Sequence, residues 1–268
     1  MGLAGALALA ACTSLAPSAP LAPVATPEVQ QLLTLLPADV LLLGEQHDAP
    51  DHQRLQRELV QTLAARGQLA ALVMEMAERG HSTAQLPRDA SEAQVQAALQ
   101  WSDGAWPWAA YGPTVMAAVR AGVPVLGGNL PRADMRTAMT LTAWDQHLPA
   151  AALQSQYEAL REGHCGLLPE SQIAPMARIQ IARDASMAQV VQRALRPQHT
   201  VVLVAGGGHV LRTLGVPTHW PANLVSKVAL AQSVKAQSAI NKQADLIVTT
   251  PALPERDMCA PLRAQRKP

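Results

Sequence analysis

The stretch DVLLLGEQHD at residues 39–48 decides the fold, because in it an apolar run passes at a glycine into polar residues. Residues 39–43 have the length and composition of a buried strand, which Gly44 ends. Comparable apolar runs predict further strands at residues 69–76, 123–126, 200–205, 224–229 and 245–248.

Helical patterns separate these runs. In residues 51–66, Leu55, Leu59 and Leu63 recur every four residues, and other helices are predicted at residues 90–101, 113–121, 132–141, 150–161 and 175–195. The alternation predicts an α/β fold in which a mostly parallel sheet is covered by helices on both faces. Because the segment from 132 to 195 lacks a clear strand, we expect it to form a helical cap over the sheet.

The composition excludes two broad classes. Hydrophobic residues make up 49% of the 268 residues and charged residues 15%, which is enough apolar material for a core and excludes a disordered chain. The net charge of +1 gives no electrostatic case for a nucleic-acid partner.

Each of the first four predicted strands is followed by, or ends in, a polar or metal-binding side chain. His47 follows the first strand, Glu75 ends the second, Asn129 follows the third, and His209 follows the fourth through three glycines. Ligands of open parallel sheets bind outside the carboxyl ends of the strands. The sequence therefore predicts that these residues, although far apart in the chain, line one cleft.

Two interpretations of this set of residues stay open. His47, Glu75 and His209 are the ligand types of a catalytic metal site, in which an activated water would attack a peptide or ester carbonyl. Glu45 or Asp48 would then orient an imidazole. Alternatively, the histidines only make hydrogen bonds in the cleft, as in a binding protein or a non-catalytic scaffold. The residues alone do not decide whether the protein is an enzyme.

Trp106, Trp108 and Tyr111 form the densest aromatic patch of a chain that has no phenylalanine. Such a patch beside a cleft suits a flat apolar ligand such as a porphyrin, and a tyrosine can ligate haem iron. The alternative is that these side chains fill the core at the start of a helix. In the helix predicted at 175–195, Gln180, Arg183 and Asp184 share one side with apolar residues, so we expect them to need polar partners.

The amino terminus resembles an export signal. Residues 1–11 contain an apolar run too short to span a bilayer, and Leu9-Ala10-Ala11-Cys12 resembles a bacterial lipobox with Cys12 as the acylated residue. The alternative is an ordinary signal with a chance cysteine. We predict a Pro-rich tether at 12–30, a folded domain at 31–250 and a tail at 251–268. Export to an oxidising compartment makes a disulfide between Cys165 and Cys259 one expectation and two free thiols the other.

The sequence resembles the ChaN-like haem-binding lipoproteins along nearly all of the predicted mature chain. The similarity is carried, in order, by GEQHD (44–48), VMEM around Glu75, WPWAAYGP (106–113), GGNLPR (127–132), HCGLLPE (164–170), MARIQIARDASMA (176–188), AGGGHV (205–210) and DLIVTTP near Asp245. The wider superfamily includes the Tiki metalloproteases and erythromycin-esterase-like enzymes. Its two Gly-x-x-His motifs and its Glu match Gly44 to His47, Gly206 to His209, and Glu75.

The resemblance implies an α/β lipoprotein of a bacterial haem-uptake system, with haem shared across a homodimer and passed on with a receptor. It implies a location in the cell envelope, anchored through Cys12 at the outer membrane or its periplasmic face. It also implies a tyrosine ligand to iron, for which Tyr111 lies in a matched motif and Tyr157 does not; His47 and His52 are the alternatives. The haem-binding residues predicted in this way are Tyr111, His47, Trp108, Asn129 and Arg183, and a divalent metal ion at His47, Glu75 and His209 is the alternative cofactor.

Overall fold

The computed structural model describes residue 1, residues 25–233 and residues 242–264. In these residues, six strands form one parallel sheet in the order β3-β2-β4-β1-β5-β6. The strands are β1 (Val40–Glu45), β2 (Leu69–Glu78), β3 (Val125–Asn129), β4 (Thr200–Gly206), β5 (Ser226–Ser233) and β6 (Leu246–Thr250). The predicted parallel sheet is confirmed, and every pairing between these strands is parallel.

Helices cover both faces of the sheet, as the alternating pattern predicts. The first group consists of α1 (Pro27–Leu33), α2 (Pro50–Ala65), α3 (Glu92–Leu99) and α4 (Trp108–Ala121). The second group is the predicted cap from the middle of the chain, with α5 (Met135–Thr140), α6 (Ala150–Gly163) and α7 (Glu170–Ala194). Helix α7 packs on the sheet, and α5 and α6 pack on α7.

Alternating strand residues enter two separate cores. In β1, Leu41 and Leu43 join the core under the first group of helices, whereas Val40 and Leu42 join the core under α7. Successive side chains of a strand point to opposite faces, so a strand covered on both faces is apolar throughout. This requirement explains why the strand runs in the sequence are continuous rather than alternating.

After the adjacent strands β1 and β4, the chain continues on opposite faces of the sheet. After β1 it enters α2, in the first core, and after β4 it enters a 3-10 turn, Gly207–Val210, whose Val210 belongs to the second core. Such a reversal opens a crevice at the carboxyl ends of the two strands. Glu45 and Gly206 pair in register at this point, so the fold itself positions a ligand site there.

Helix α4 begins five residues earlier than the sequence pattern predicts. The expected start was residue 113, but the helix begins at Trp108 and contains Pro113 in its interior. The Asp103 carboxylate accepts a hydrogen bond from the Trp108 backbone N–H at 2.7 Å and satisfies one of the free donors at the helix start. This cap comes from a loop residue outside the periodic pattern.

The folded domain begins with helix α1, earlier than the sequence predicts. Helix α1 begins at Pro27 with Val29 and Leu32 buried, so the last residues of the predicted tether 12–30 belong to the folded domain. The predicted signal 1–11 and Cys12 lie outside the described residues, apart from Met1. No helix in the described ranges is long and apolar enough to cross a membrane.

A disulfide joins Cys165, in the loop between α6 and α7, to Cys259 in the carboxyl-terminal segment that follows β6. The two Cα atoms are 5.7 Å apart. The predicted tail is thereby tied to the helical cap, and it contains a short helix, Ala260–Ala264.

Candidate functional site

Glu45, the last residue of β1, is a buried carboxylate that collects hydrogen bonds from three side chains. Its Oε1 accepts from the Tyr111 hydroxyl at 2.6 Å and from His47 Nδ1 at 2.8 Å, and its Oε2 accepts from the Gln56 amide. Only 4% of Glu45 is exposed, so these donors replace the water that would otherwise bind its oxygens. The parallel register then holds Glu45 beside Gly206 of β4.

His47 is oriented by Glu45 but remains accessible. Its side chain is 41% exposed, and its ring meets the Trp106 ring edge-on with the centroids 4.8 Å apart. Burial lowers the pKa of His47, but the Glu45 hydrogen bond and the Glu75 and Glu45 charges outweigh it, so the pKa is raised above 6.5. Because Nδ1 donates to Glu45, a neutral His47 carries its lone pair on Nε2.

Gly206 packs against His47 Nε2, where only a residue without a side chain fits. A Cβ atom built on Gly206 would lie 2.9 Å from that nitrogen and 3.6 Å from Glu75 Oε2. Any side chain at this position would therefore collide with the imidazole. The Gly206 backbone N–H also donates to Glu75 Oε2 at 2.8 Å, which places Glu75 at the same spot.

His209 lies between two buried carboxylates. Its Nδ1 donates to Asp184 Oδ1 at 2.6 Å, and its Nε2 lies 3.5 Å from Glu75 Oε1. Burial lowers the pKa of His209, but the charges of Asp184 and Glu75 raise it to about 9. For the Glu75 carboxyl, burial acts in the opposite direction and raises the pKa. The positive charges of His209 and His47 and the hydrogen bond from the Gly206 N–H outweigh burial and bring the pKa of Glu75 below its usual value.

The predicted metal ligands therefore lie near one another, but His209 pairs with Asp184 and Glu75. In the part of the chain that the structure describes, no group of three His, Cys, Asp or Glu side chains is arranged to hold a metal ion. The physical reason is that both nitrogens of His209 face carboxylates in an ion-pair network, which favours the imidazolium. A metal ion requires the neutral ring.

The two tyrosines differ in their surroundings, and neither exposes its hydroxyl to the cleft. Tyr111 is 1% exposed, and burial and the Glu45 charge strongly raise the pKa of its phenol. It therefore stays protonated and donates to Glu45. Tyr157, on α6, packs against Leu160 and Ile173 in a separate apolar cluster.

His52 is a structural residue with both nitrogens bonded. It is fully buried, its Nδ1 accepts from the Gln46 backbone N–H at 3.0 Å, and its Nε2 donates to the Thr250 hydroxyl at 2.9 Å. Burial lowers its pKa, in keeping with this neutral tautomer. His52 thus ties the loop after β1 to the end of β6.

A cleft of about 180 Å³ opens beside Glu75, between the carboxyl end of the sheet and α7. It is lined by Trp106, Leu130 and Met135 on the apolar side and by Glu75, Asn129, Arg132 and Arg183 on the polar side. The Asn129 amide donates to the Glu75 backbone carbonyl at 2.9 Å and accepts from the Leu130 N–H at 2.8 Å, so it shapes the wall.

The aromatic residue that faces this cleft is Trp106 rather than Trp108. Trp108 is 9% exposed, its indole N–H donates to Glu92 at 2.7 Å, and its ring packs edge-on against Trp101. Of the five residues predicted to bind haem, Asn129 and Arg183 line the cleft, and His47 contacts its Trp106 wall. Tyr111 and Trp108 are buried in the core under the first group of helices. The sequence pattern does not indicate the roles of Gln56, which donates to Glu45, and of Arg132, which ends the GGNLPR stretch and lines the cleft.

Comparison with known proteins agrees with this architecture. Residues 32–219, more than half of the chain, match the family described as "Haem-binding uptake, Tiki superfamily, ChaN". The structure of ChaN from Campylobacter jejuni, described as showing cofacial haem binding, is 22% identical with a TM-score of 0.66, over 81% of this chain and 89% of that one. At this identity the likeness shows a shared fold.

A protein from Bacillus cereus is 12% identical with a TM-score of 0.37, over 76% of this chain and 68% of that one. That likeness is too low to carry an argument, and none of the curated proteins matches the chain significantly. The family match, together with the shared fold, identifies this chain as a member of the ChaN haem-binding uptake family of the Tiki superfamily.

Proposed function

We propose that this protein binds haem at the carboxyl edge of its sheet, with His47 as the protein ligand to the iron. The observation that carries the proposal is the geometry of His47, whose Nδ1 is held by Glu45 while its side chain is 41% exposed and its Nε2 makes no hydrogen bond to a described residue. A carboxylate behind an imidazole fixes its tautomer and increases the basicity of the free nitrogen. Haem would supply the iron to be carried.

Comparison with the other imidazoles and phenols near the site favours the same residue. His52 uses both nitrogens in hydrogen bonds, and His209 is held between Asp184 and Glu75. Tyr111 is buried, and the charge of Glu45 disfavours the phenolate that iron ligation requires. Within the described residues, His47 is the one of these four with a ring nitrogen that neither makes a hydrogen bond nor faces a carboxylate.

The surroundings suit one side of a porphyrin. Trp106 touches His47 and lines the cleft together with Leu130 and Met135, which provides apolar contacts for the macrocycle. The cleft volume of about 180 Å³ is below the ~300–1,000 Å³ that encloses most ligands. We therefore propose that haem is only partly enclosed and that a second copy of this chain covers the exposed part. The cofacial binding described for the Campylobacter jejuni protein supports this arrangement.

The cellular context of the proposal comes from the amino-terminal sequence. We propose that Cys12 carries a lipid, that the Pro-rich segment after it is a tether, and that the protein works in the cell envelope, at the outer membrane or its periplasmic face. A haem-uptake receptor is the expected partner. The disulfide between Cys165 and Cys259 supports an oxidising compartment.

The alternative, a divalent-metal hydrolase at His47, Glu75 and His209, is not favoured. The ion-pair network occupies the groups that the metal would need, and no metal-binding group is found in the described residues.

Hemin titration of the purified protein tests the proposed function. We expect a saturable shift of the Soret band that is lost, or weakened at least about 100-fold, in His47→Ala. His199→Ala is the matched control, because His199 immediately precedes β4 at the opposite end of the sheet and should leave binding unchanged. Equal hemin affinity in wild type and His47→Ala would contradict the assignment, and no saturable shift in wild type would reject haem binding.

A further inference from the structure

Arg183 is a partly buried cation whose own donors are not used by the protein. Its Nε atom is shielded from solvent without a hydrogen-bond partner. Nor does Arg183 form an ion pair with any residue in the described ranges, unlike Arg178 five residues earlier in α7, which binds Asp145 with two nitrogens. An arginine donor removed from water without a partner costs free energy, so its retention calls for a function.

The neighbouring carboxylates do not fill this role. Asp184 and Glu75 direct their oxygens to His209, and Glu75 also accepts from the Gly206 N–H. The guanidinium of Arg183 acts on all three of these groups through its charge, but none of them binds it directly. Arg183 therefore balances the negative charge of the network and keeps its planar donor set available.

The position of Arg183 in the wall of the cleft indicates which ligand its donors could bind. Arg183 lines the cleft together with Trp106 and Asn129, so a ligand that enters along the apolar wall meets the guanidinium. A guanidinium binds a carboxylate through two parallel hydrogen bonds, which fixes both position and orientation. The chemistry that completes this site is a carboxylate attached to a flat apolar body.

We propose that Arg183 is the specificity-determining residue of a carboxylate subsite that binds one propionate of the porphyrin. This inference rests on the proposed haem function and adds the part of the ligand that the cleft selects. Arg132, exposed at the rim of the cleft, lies in solvent and contributes less.

The test compares porphyrins with and without free carboxylates. Hemin and metal-free mesoporphyrin, each as the free acid and as the dimethyl ester, are titrated into wild type, Arg183→Gln, Arg183→Lys and Arg193→Gln. Arg193 is an exposed arginine near the end of the same helix and is the matched control. The metal-free porphyrin, followed by tryptophan quenching, reports on the subsite without iron ligation.

In wild type and Arg193→Gln we expect the acid to bind about 10- to 100-fold more tightly than the ester, as for one charge-assisted pair. In Arg183→Gln this ratio should fall to about 1, because only binding of the acid is weakened. Arg183→Lys keeps the charge without the planar fork and should give an intermediate ratio, which serves as the test if the Gln variant does not fold.

Two results would overturn the subsite. One is an unchanged acid-to-ester ratio in the Arg183 variants; the other is an equal loss for acid and ester, which is the signature of a purely structural role. If wild type binds hemin without preferring the acid, the subsite is wrong and the haem function stands. If wild type binds neither hemin nor mesoporphyrin, both proposals fall.

Discussion

Replacing Tyr111 by phenylalanine tests whether this tyrosine is a structural hydrogen-bond donor to Glu45 or a ligand to haem iron. The change removes the hydroxyl that donates to Glu45 Oε1 at 2.6 Å and leaves the ring in the core. A hydrogen bond to a charged group contributes about 1.5–3 kcal/mol, and Glu45 keeps the donors of His47 and Gln56. We therefore expect the free energy of unfolding to fall by about 1.5–3 kcal/mol.

Hemin binding should respond much less. Because Glu45 still holds His47, we expect the hemin affinity of Tyr111→Phe to change by no more than about threefold, which corresponds to less than ~0.7 kcal/mol. Loss of a tyrosine ligand to iron would instead weaken hemin binding by at least about 100-fold. The assays are urea unfolding and hemin titration on the same preparations.

Tyr157→Phe is the matched control, since Tyr157 is the other tyrosine of the chain and its hydroxyl makes no hydrogen bond to a described residue. Its unfolding free energy should stay within about 0.5 kcal/mol of wild type. Unchanged stability of Tyr111→Phe combined with loss of the Soret shift would refute our interpretation and make Tyr111 the iron ligand.

Three other predictions test separate parts of the structure. Gly206→Ala should weaken hemin binding at least tenfold, because the added Cβ would lie 2.9 Å from His47 Nε2. Gly208→Ala is the control and should bind hemin as wild type does, because no atom lies within 4 Å of its added Cβ. Equal hemin binding by both variants would contradict an iron ligand at Nε2. The imidazole rings of His147 and His219 are stacked with their centroids 3.9 Å apart, and burial and the His147 charge lower the pKa of His219 to about 3. Stability present above pH 6.5 should therefore be lost as the pH falls toward 3. Urea unfolding should show a smaller loss of stability over this pH range in His219→Phe, and an equal loss in wild type and variant would contradict the prediction. Cys165→Ser with Cys259→Ser should lower the free energy of unfolding by about 2–4 kcal/mol, because the disulfide closes a loop of 94 residues; stability equal to that of the oxidised wild type would show that the tail is held by other contacts.

The main features of the fold could be predicted from the sequence because both cores impose their pattern on it. A strand covered on two faces must be apolar throughout, so the central strands β1 and β4 stand out as continuous apolar runs that end in a glycine or a polar residue. The convergence of His47, Glu75 and His209 follows from the same pattern, since the carboxyl ends of parallel strands meet at one edge.

The roles of individual side chains could not be predicted, because they depend on partners that are distant in sequence. Tyr111 reaches Glu45 across 66 positions, and the Asp184 partner of His209 lies on a different element. Nothing near His52 in the sequence indicates that Thr250 completes its hydrogen bonds. For the tryptophans, the start of α4 set by Asp103 decides that Trp108 enters the core and that Trp106 faces the cleft.

Ligation of iron by His47 is most directly measured by magnetic resonance of the ferric haem complex in protein labelled with ¹⁵N-histidine. We expect a hyperfine coupling between the iron and one imidazole nitrogen in wild type and in His199→Ala, and its disappearance in His47→Ala. A wild-type complex without imidazole coupling, or a coupling that survives in His47→Ala, would contradict it.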